Sequence, residues 1–429
     1  MRHGNSLKIA FVCLLLNTPW ARAGETAPQP APVTLPGLNA DATPAQRIVT
    51  DRNGVLLDAA TTPAVTYLRL GKIAGNQPLQ LSLEVNSNKI LDEELAAGVE
   101  KYSAKGAAGF IMDVDTGEII ALSSIESRNP QRQATASGNL PPNRITQAVY
   151  EFGSSAKLMT VAMALDAGKA DLASRIDGRE LHYSRFTIHD SDPKRRMLTL
   201  SDVVKYSSNI GVARLARRVG TTGQRAFLEK MGQLDSLDID GIDKVDPIYS
   251  KDWPGIYTLI AAFGQGMAVS PLQAGMAIAA MANGGFLVRP TIFRRDGQAS
   301  AASQQRVISS DTSAKMRDLL RLNAVEGTAK KADVAGYLVG GATSTAEKIV
   351  NDEYDLKRVI TTFTAVFPAD KPKYLVMTLL DEPQALRETF GFITAAWNAA
   401  PVAAKVIERT SPVLGVERRA MSTASQGPL

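Results

Sequence analysis

The sequence is poor in the residues that build metal and disulfide sites. Its 429 residues include one cysteine and three histidines, a supply that excludes an internal disulfide framework and a cysteine-rich zinc site. The sequence also lacks a GxxxxGKS/T loop, a GxGxxG turn after a strand, an HExxH helix and a GxSxG elbow. These absences exclude several nucleotide-dependent, metal-dependent and hydrolytic enzyme classes. We expect no metal and no cofactor.

The N-terminus has an apolar run that is too short for a membrane span, which needs about 20 residues. IAFVCLLL at 9–16 follows a basic segment and precedes small residues at Ala21 and Ala23. This is the layout of a secretory signal peptide. We predict a cleaved signal over residues 1–23, with an uncleaved anchor or a cytosolic strand as the alternatives.

The net charge is small once that signal is considered. The formal charge is +5, which taken alone favours an anionic partner. Cleavage after residue 23 would remove three basic residues, no acidic residue and the only cysteine, and would lower the charge to +2. Such a charge leaves no electrostatic footprint for nucleic acid. We predict no nucleic-acid partner.

The organisation of the chain changes at Gly106. Before it lie a proline-rich segment at 24–45, which predicts a linker, and a mixed region at 46–105. After it, Asp115-Thr116-Gly117 between two apolar runs predicts a hairpin over 109–124. Helical patterns follow at 154–168, 200–220, 271–283 and 399–410, and strand patterns at 336–347, 358–367 and 373–380. This order predicts an α+β fold in which the first two strands pair with the last three, with helices on both faces.

The most specific candidate chemistry is carried by Ser154 and Lys157. On a helix, residues three apart lie on one face within contact range, and a desolvated lysine has a lowered pKa and can act as a base. Ser154 would lie at the helix N-terminus, where free N–H groups favour an oxyanion. The alternative is a helix-capping serine beside a surface lysine.

The other polar patterns are less specific. The second SxxK pattern, at 191–194, contains a proline and indicates a solvated turn. Of three SxN patterns, only Ser207–Asn209 lies between helical segments. His189 beside two aspartates fits a surface loop better than half of a metal site.

Three short motifs and the segments around them form a set whose order along the chain is specific. Three motifs stand in order along the chain: GSSAK at 153–157, YSSN at 206–209 and VGGATSTAEK at 339–348. The surrounding phrases are DRNG (51–54), MDVDTGEIIAL (112–122), RFTIHD (185–190), FGQGMAVSPLQA (263–274), ADKPKYL (369–375) and LDEP (380–383). This set resembles the class B penicillin-binding proteins, the peptidoglycan D,D-transpeptidases of cell division.

The resemblance implies a penicillin-binding transpeptidase domain over residues 106–416. It implies a five-stranded antiparallel sheet with helices on both faces, preceded by a shortened pedestal at 46–105 and followed by a tail at 417–429. Members of that family usually keep an uncleaved N-terminal anchor, whereas the signal predicted here implies a periplasmic protein with at most peripheral membrane association, or an inner-membrane-anchored one if the signal is not cleaved.

The resemblance also implies roles for individual residues. Ser154 would attack the penultimate D-alanine carbonyl of a stem peptide, Lys157 would take its proton, and Ser207 would relay a proton to the leaving group. Asn209 would hold the substrate amide, and the N–H groups of Ser154 and Thr345 would form the oxyanion hole. The implied ligands are peptidoglycan stem peptides and β-lactams, with cell-wall synthesis proteins as partners.

The third motif departs from the Lys-Thr-Gly of the family. The sequence reads Ala342-Thr343-Ser344, so the lysine is absent, and Ser344 adds a side chain where glycine allows close backbone approach. Thr343 and Thr345 remain to bind substrate. Loss of one partner of a buried charge contact costs about 2–5 kcal/mol, so we expect weakened activity. The nearest lysines in sequence that could compensate are Lys330, Lys331 and Lys348.

Three functional hypotheses follow. The first is a truncated paralogue of the D,D-transpeptidases that still transfers acyl groups through a serine. The second is a non-catalytic module that docks on cell-wall or divisome partners, motivated by Ala342 and Ser344. The third is a D,D-carboxypeptidase or β-lactamase, which the family phrases favour less.

Overall fold

The computed structural model describes residues 48–57, 62, 68, 77–128, 142–237, 239, 242, 245–351 and 353–420. The predicted signal peptide at 1–23 and the predicted linker at 24–45 lie outside the described residues. So do residues 421–429 of the predicted tail. Across the described ranges, no helix is both long enough and apolar enough to cross a membrane.

The described residues form fifteen strands and ten α-helices. The strands are β1 Val49–Thr50, β2 Leu79–Gln80, β3 Gly106–Asp113, β4 Ile119–Glu126, β5 Tyr150–Glu151, β6 Arg175–Asp177, β7 Leu181–Tyr183, β8 Phe186–Ile188, β9 Met197–Thr199, β10 Ala268–Val269, β11 Phe286–Val288, β12 Gln304–Arg306, β13 Gly340–Val350, β14 Glu353–Phe367 and β15 Tyr374–Asp381. The helices are α1 Val85–Lys101, α2 Gly153–Asp166, α3 Leu200–Lys205, α4 Asn209–Val219, α5 Thr221–Lys230, α6 Gly255–Ala261, α7 Pro271–Ala282, α8 Gly297–Ala302, α9 Ser310–Glu326 and α10 Ala399–Val413.

Five strands form the central antiparallel sheet in the order β13–β14–β15–β3–β4. This order confirms the predicted five-stranded sheet, in which an early strand pairs with a late one. Every residue of β3 and β15 is buried, as expected of short apolar runs that are covered on both faces. Among the described strands, β13 and β4 are the two edges of the sheet.

The turn between β3 and β4 forms at the predicted Asp-Thr-Gly. Asp113 Oδ1 accepts the N–H groups of Asp115 and Thr116 at 2.9 and 3.2 Å. Gly117 adopts a φ of 72°, and a Cβ there would lie 2.4 Å from the carbonyl oxygen of Arg289. Glycine is therefore required both by the left-handed backbone and by the close approach.

Helices cover both faces of the sheet, as predicted. On one face, α1 and α10 bury Leu91 and Val406 in a single cluster with the sheet. On the other face, Val161 of α2 and Ala277 of α7 pack in a larger cluster that includes Phe110 of β3. Helix α2, which carries the candidate nucleophile, also contacts β13, α4 and α9.

The DRNG segment is tied to the sheet. The carboxylate of Asp51, which is fully buried, accepts the N–H groups of Asn53 and Val55 at 2.7 and 2.9 Å. Arg52 pairs with Glu118 at 3.3 Å. The Asp51 bonds close the turn within the segment, and the Arg52–Glu118 pair attaches the segment to the β3–β4 hairpin.

The prediction of one helix over 200–220 is wrong at its centre. The structure has two helices, α3 and α4, because Ser207 adopts a φ of 52° that a continuous α-helix cannot contain. Ser208 then caps α4 by accepting the N–H of Gly211 at 2.9 Å. The apolar pattern runs through the break because Val203 and Ile210 enter the same core.

Candidate active site

Helix α2 begins directly against β13 and places Ser154 in its first turn. Gly153 adopts a φ of 36°, and a Cβ there would lie 3.0 Å from the carbonyl oxygen of Thr345. Glycine therefore lets the start of the helix approach the strand. The main chain of Thr345 is thereby brought beside the residue that precedes Ser154.

Lys157 lies one helical turn after Ser154, and its side chain enters the protein interior. The residue is 8% exposed. Its Nζ donates to the carbonyl oxygen of Ser207 at 2.6 Å and to Oγ of Ser207 at 2.8 Å. Ser207 Oγ donates in turn to Ser154 Oγ at 3.0 Å. Three residues predicted from two separate motifs, 153–157 and 206–209, thus form one hydrogen-bonded chain.

The environment of Lys157 alters its ionisation. Burial lowers the pKa of Lys157 from 10.5 to about 7, and the nearby carboxylate of Asp190 acts in the opposite direction. The shift arises because the ammonium loses hydration when it leaves water. Near neutral pH a large fraction of Lys157 is therefore the neutral amine, which can accept a proton.

Asp190 organises the junction between α3 and α4. Its Oδ2 accepts the hydroxyl of Ser208 at 2.7 Å, and its Oδ1 accepts the N–H of Ile210 at 3.0 Å. Asn209 Nδ2 donates to the carbonyl oxygen of His189 at 3.0 Å. Sequence reasoning missed this role of Asp190, because its partners lie 18 and 20 residues further along the chain.

The third motif lies on β13 beside the start of α2. Ala342, Thr343 and Ser344 are all buried. Ser344 Oγ donates to the carbonyl oxygen of Phe152 at 2.7 Å, so its hydroxyl occupies the narrow space between strand and helix. Thr345 Oγ1 accepts the N–H of Ala395 at 3.0 Å, and this contact fixes its side chain.

Two further polar residues, Asn323 and Thr328, belong to the same region and were missed by sequence reasoning. Asn323 Nδ2 donates to the carbonyl oxygen of Gly341 at 2.8 Å, and its Oδ1 accepts the N–H of Thr328 at 3.1 Å. Thr343 Oγ1 donates to Thr328 Oγ1 at 2.7 Å. No local pattern marks these residues, since the packing of α9 on β13 makes them neighbours.

A pocket opens between α2, α3, α4, α9 and β13. Its polar lining comprises Ser154, Lys157, Ser207, Asn323, Thr328 and Thr343. The rest of its lining consists of Ala342 and of valine and leucine side chains from α2, α3 and α4. Among the described residues that line this pocket, Lys157 is the one cation.

The three lysines nearest the third motif in sequence have their own surroundings. Lys348 Nζ pairs with Asp381 Oδ1 at 2.5 Å and with Glu382 Oε1 at 3.0 Å. Lys331 Nζ lies 4.1 Å from the ring centroid of Trp397. Lys330 begins a short 3₁₀ helix, Lys330–Ala332. None of the three is among the described residues that line the pocket.

The family model of the penicillin binding protein transpeptidase domain matches residues 107–408. The chain belongs to the penicillin-binding protein transpeptidase family. This result confirms the family and the fold that the sequence motifs indicated. The transpeptidase domain includes every motif that carries Ser154, Lys157, Ser207 and Thr345.

Relatives and solved structures agree with this family. The chain is 38% identical over 360 residues to the probable peptidoglycan D,D-transpeptidase FtsI of Caulobacter vibrioides, covering 81% of this chain and 61% of that protein. It is 28% identical over 384 residues to the probable peptidoglycan D,D-transpeptidase PenA of Neisseria meningitidis, covering 89% of this chain and 64% of that protein. The chain thus spans somewhat less than two thirds of the length of these curated relatives.

Among solved structures, the apo transpeptidase domain of penicillin-binding protein 3 from Burkholderia pseudomallei is similar. Its TM-score is 0.70 at 27% sequence identity, and the match covers 80% of this chain and 98% of that domain. The penicillin-binding fold is therefore shared over nearly the whole of that domain.

Proposed function

We propose that this penicillin-binding family member is a serine acyltransferase that acts on peptidoglycan stem peptides ending in D-Ala-D-Ala. The observation that carries the proposal is the hydrogen-bonded chain from buried Lys157 through Ser207 to Ser154. The names of the two curated relatives, both probable peptidoglycan D,D-transpeptidases, support the same reaction class.

In the acylation step, Ser154 Oγ forms a bond to the carbonyl carbon of the penultimate D-alanine. The proton of Ser154 passes to Lys157, either directly or through the Ser207 hydroxyl. The amide C–N bond to the terminal D-alanine then breaks, and Ser207 relays the proton to the leaving amine. An amine of a second stem peptide attacks the acyl-enzyme and frees Ser154. A pKa of about 7 for Lys157 suits both proton acceptance and return.

The charge that develops on the substrate oxygen needs donors at the start of α2. We assign this role to the N–H groups of Ser154 and Thr345, because the Thr345 main chain lies against Gly153. A helix N-terminus favours negative charge through its free N–H groups and its dipole. In the same complex, Asn209 would contact the substrate amide, and Thr343 and Thr345 would bind the end of the peptide.

The test is covalent labelling of the purified protein by a fluorescent penicillin. The wild type should be labelled, and Ser154→Ala should not. Ser155→Ala is the matched control, because Ser155 is the next residue of the same helix and its buried hydroxyl has no hydrogen-bond partner among the described residues. Equal absence of label in wild type and Ser154→Ala would contradict the proposal.

A non-catalytic binding module is the second candidate, favoured by the small side chain of Ala342 in a pocket with one cation. The double variant Ala342→Lys with Ser344→Gly separates the two functions. If the double variant is acylated faster than the wild type by orders of magnitude, the loss of activity lies on β13. If neither the wild type nor the double variant is labelled, the binding module is favoured. A β-lactamase would release the label within minutes, which a transpeptidase would not.

We also propose export to the periplasm through cleavage of residues 1–23. The supporting observation is the basic–apolar–small order of the N-terminus. N-terminal sequencing of protein recovered from the periplasmic fraction should start at Gly24. Recovery in the membrane fraction with an intact N-terminus would support the anchored alternative.

A further inference from the structure

The pocket beside Ser154 offers little positive charge for a site that is proposed to receive a carboxylate, since Lys157 is the one cation among its described lining residues. A stem peptide that ends in D-Ala-D-Ala carries a free carboxylate next to the bond that breaks. Removing a carboxylate from water is costly unless a cation or several donors replace its hydration. The available groups at this end of the pocket therefore decide which peptide terminus binds well.

The groups near Ala342 are neutral. The pocket wall there consists of the Ala342 methyl group, the hydroxyls of Thr343 and Thr328, and the amide of Asn323. Thr343 already donates its hydroxyl proton to Thr328 at 2.7 Å. Asn323 is occupied by the carbonyl of Gly341 and the N–H of Thr328. These side chains can contact a polar ligand atom, but they supply no positive charge.

The cation that does line the pocket is already committed. Lys157 Nζ is held by two oxygens of Ser207, and Asp190 contributes an opposing negative charge. Burial also lowers the pKa of Lys157 to about 7, so the amine is partly neutral at physiological pH. Lys157 is therefore poorly suited to neutralise a second carboxylate.

Three basic side chains at the nearby surface are paired as well, and neither Lys330 nor Lys331 is among the described residues that line the pocket. Lys205, two residues before Ser207, bonds to Glu326 at 2.5 Å. Lys194 bonds to Asp192 at 2.6 Å. Lys348 is held by two carboxylates on β15 and just after it. Each of these cations would have to leave an existing ion pair before it could bind a ligand.

We propose that the site accepts acyl donors whose terminus is uncharged, such as a carboxamide or an ester, about as well as donors that end in a carboxylate. The specificity-determining position is Ala342, whose methyl group leaves the end of the pocket neutral. This inference rests on the proposed acyl transfer at Ser154. It extends that function to a substrate class, amidated or otherwise neutral peptide termini, that a cation at this position would disfavour.

The experiment uses two thioester acyl donors that differ only in their terminus. One is an N-acyl-D-alanyl thioglycolate, with a carboxylate, and the other is the corresponding thioglycolamide. In both, Ser154 Oγ bonds to the acyl carbon, the C–S bond breaks and the Ser154 proton passes through Lys157 to the released thiol. The amine of an added D-amino acid then attacks the acyl carbon, the ester bond to Ser154 Oγ breaks, and the proton of the amine returns to Ser154. The rate of thiol release by the mature protein, with Ser154→Ala as the blank, gives kcat/KM for each donor.

The wild type should prefer the carboxylate donor by less than about tenfold, since a charge partner that discriminates is worth about 30-fold or more. Ala342→Lys should increase the preference for the carboxylate by at least about tenfold. Ala342→Met, of similar length and without charge, should leave the preference unchanged. A wild-type preference above tenfold, or equal preferences in the Lys and Met variants, would overturn the inference.

Salt dependence gives a measurement that does not rely on the variants. The ratio of the two wild-type rates should be constant between about 0.05 and 0.5 M salt, since no exposed cation takes part in recognition. A ratio that falls with salt would reveal such a cation and would overturn the inference. Turnover of neither donor would instead contradict acyl transfer at Ser154, which is a separate failure.

Discussion

The hydroxyl of Ser344 donates a hydrogen bond of 2.7 Å to the carbonyl oxygen of Phe152. The bond joins β13 to the residue that precedes the first turn of α2. The same carbonyl accepts the N–H of Ser155 at 2.9 Å. Ser344 therefore holds strand β13 and the helix that carries Ser154 together.

Replacement of Ser344 by alanine should lower the free energy of unfolding by about 0.5–1.5 kcal/mol, the usual contribution of one buried hydrogen bond. Urea denaturation measures this change. Thr362→Val is the matched control, because Thr362 pairs with Ser344 across the sheet and its buried hydroxyl has no partner among the described residues. Thr362→Val should be neutral or stabilising; an equal loss in both variants would argue against the bond.

The acylation rate should follow the ionisation of Lys157. Below pH about 7, the rate of labelling by penicillin should rise about tenfold per pH unit as the neutral amine forms, and it should level off above that pH. Asp190→Asn should move this limb to lower pH, because the carboxylate of Asp190 raises the pKa of Lys157. Penicillin labelling that is quenched at set times, over a series of pH values, measures the pH profile of each protein. A limb at the same pH in both proteins would show that Asp190 does not act on Lys157.

Two variants of Ser207 should separate backbone strain from chemistry. Ser207→Gly and Ser207→Ala both remove the hydroxyl that bridges Lys157 and Ser154, so both should lose acylation by about 100-fold or more. Glycine adopts the φ of 52° without penalty, whereas alanine does not. Ser207→Gly should therefore be more stable than Ser207→Ala by about 1 kcal/mol. Thermal unfolding checks the order, and a more stable alanine variant would contradict it.

The carboxyl of Glu151 should make stability depend on pH. Burial raises its pKa from 4.5 to about 7, while bonds from the Gly266 N–H and the Tyr354 hydroxyl oppose the shift and the charge of Glu347 adds to it. A carboxyl with a raised pKa in the folded state stabilises fully below pH 4.5. That contribution is lost as the pH rises through about 7.

Glu151→Gln should remove this slope, since the amide does not titrate. The measurement is the difference in urea midpoint between wild type and Glu151→Gln at several pH values. The free energy of unfolding of the wild type, minus that of the variant, should be larger at pH about 4.5 than at pH about 8. A constant difference across this range would show that Glu151 ionises normally.

The sheet was predictable from the sequence because its signals are local. Apolar runs on either side of Asp115-Thr116-Gly117 define the first hairpin, and three apolar stretches near the C-terminus define the other strands. The break at Ser207 was not predictable from periodicity. Val203 and Ile210 face one core on both sides of it, so the pattern continues while the backbone does not.

The candidate site was likewise predictable from the sequence only in part. Ser154 and Lys157 share one helix, and their spacing alone predicts proximity. The roles of Asp190 and Thr328 depend on contacts between segments that are far apart in sequence, and their own neighbourhoods in the chain give no sign of those contacts. The positions of the amines of Lys331 and Lys348 likewise depend on aromatic and acidic side chains contributed by the region after β14.

Strand β13 lies at the edge of the central sheet, with β14 on one side. An edge strand presents main-chain N–H and C=O groups that a second extended chain can pair with. Amide groups are the same whatever side chain is attached to them. Main-chain pairing of a peptide along this edge would not require a particular side chain at Ala342, so the peptide would stay aligned with Ser154 while the selectivity of the neighbouring pocket evolves.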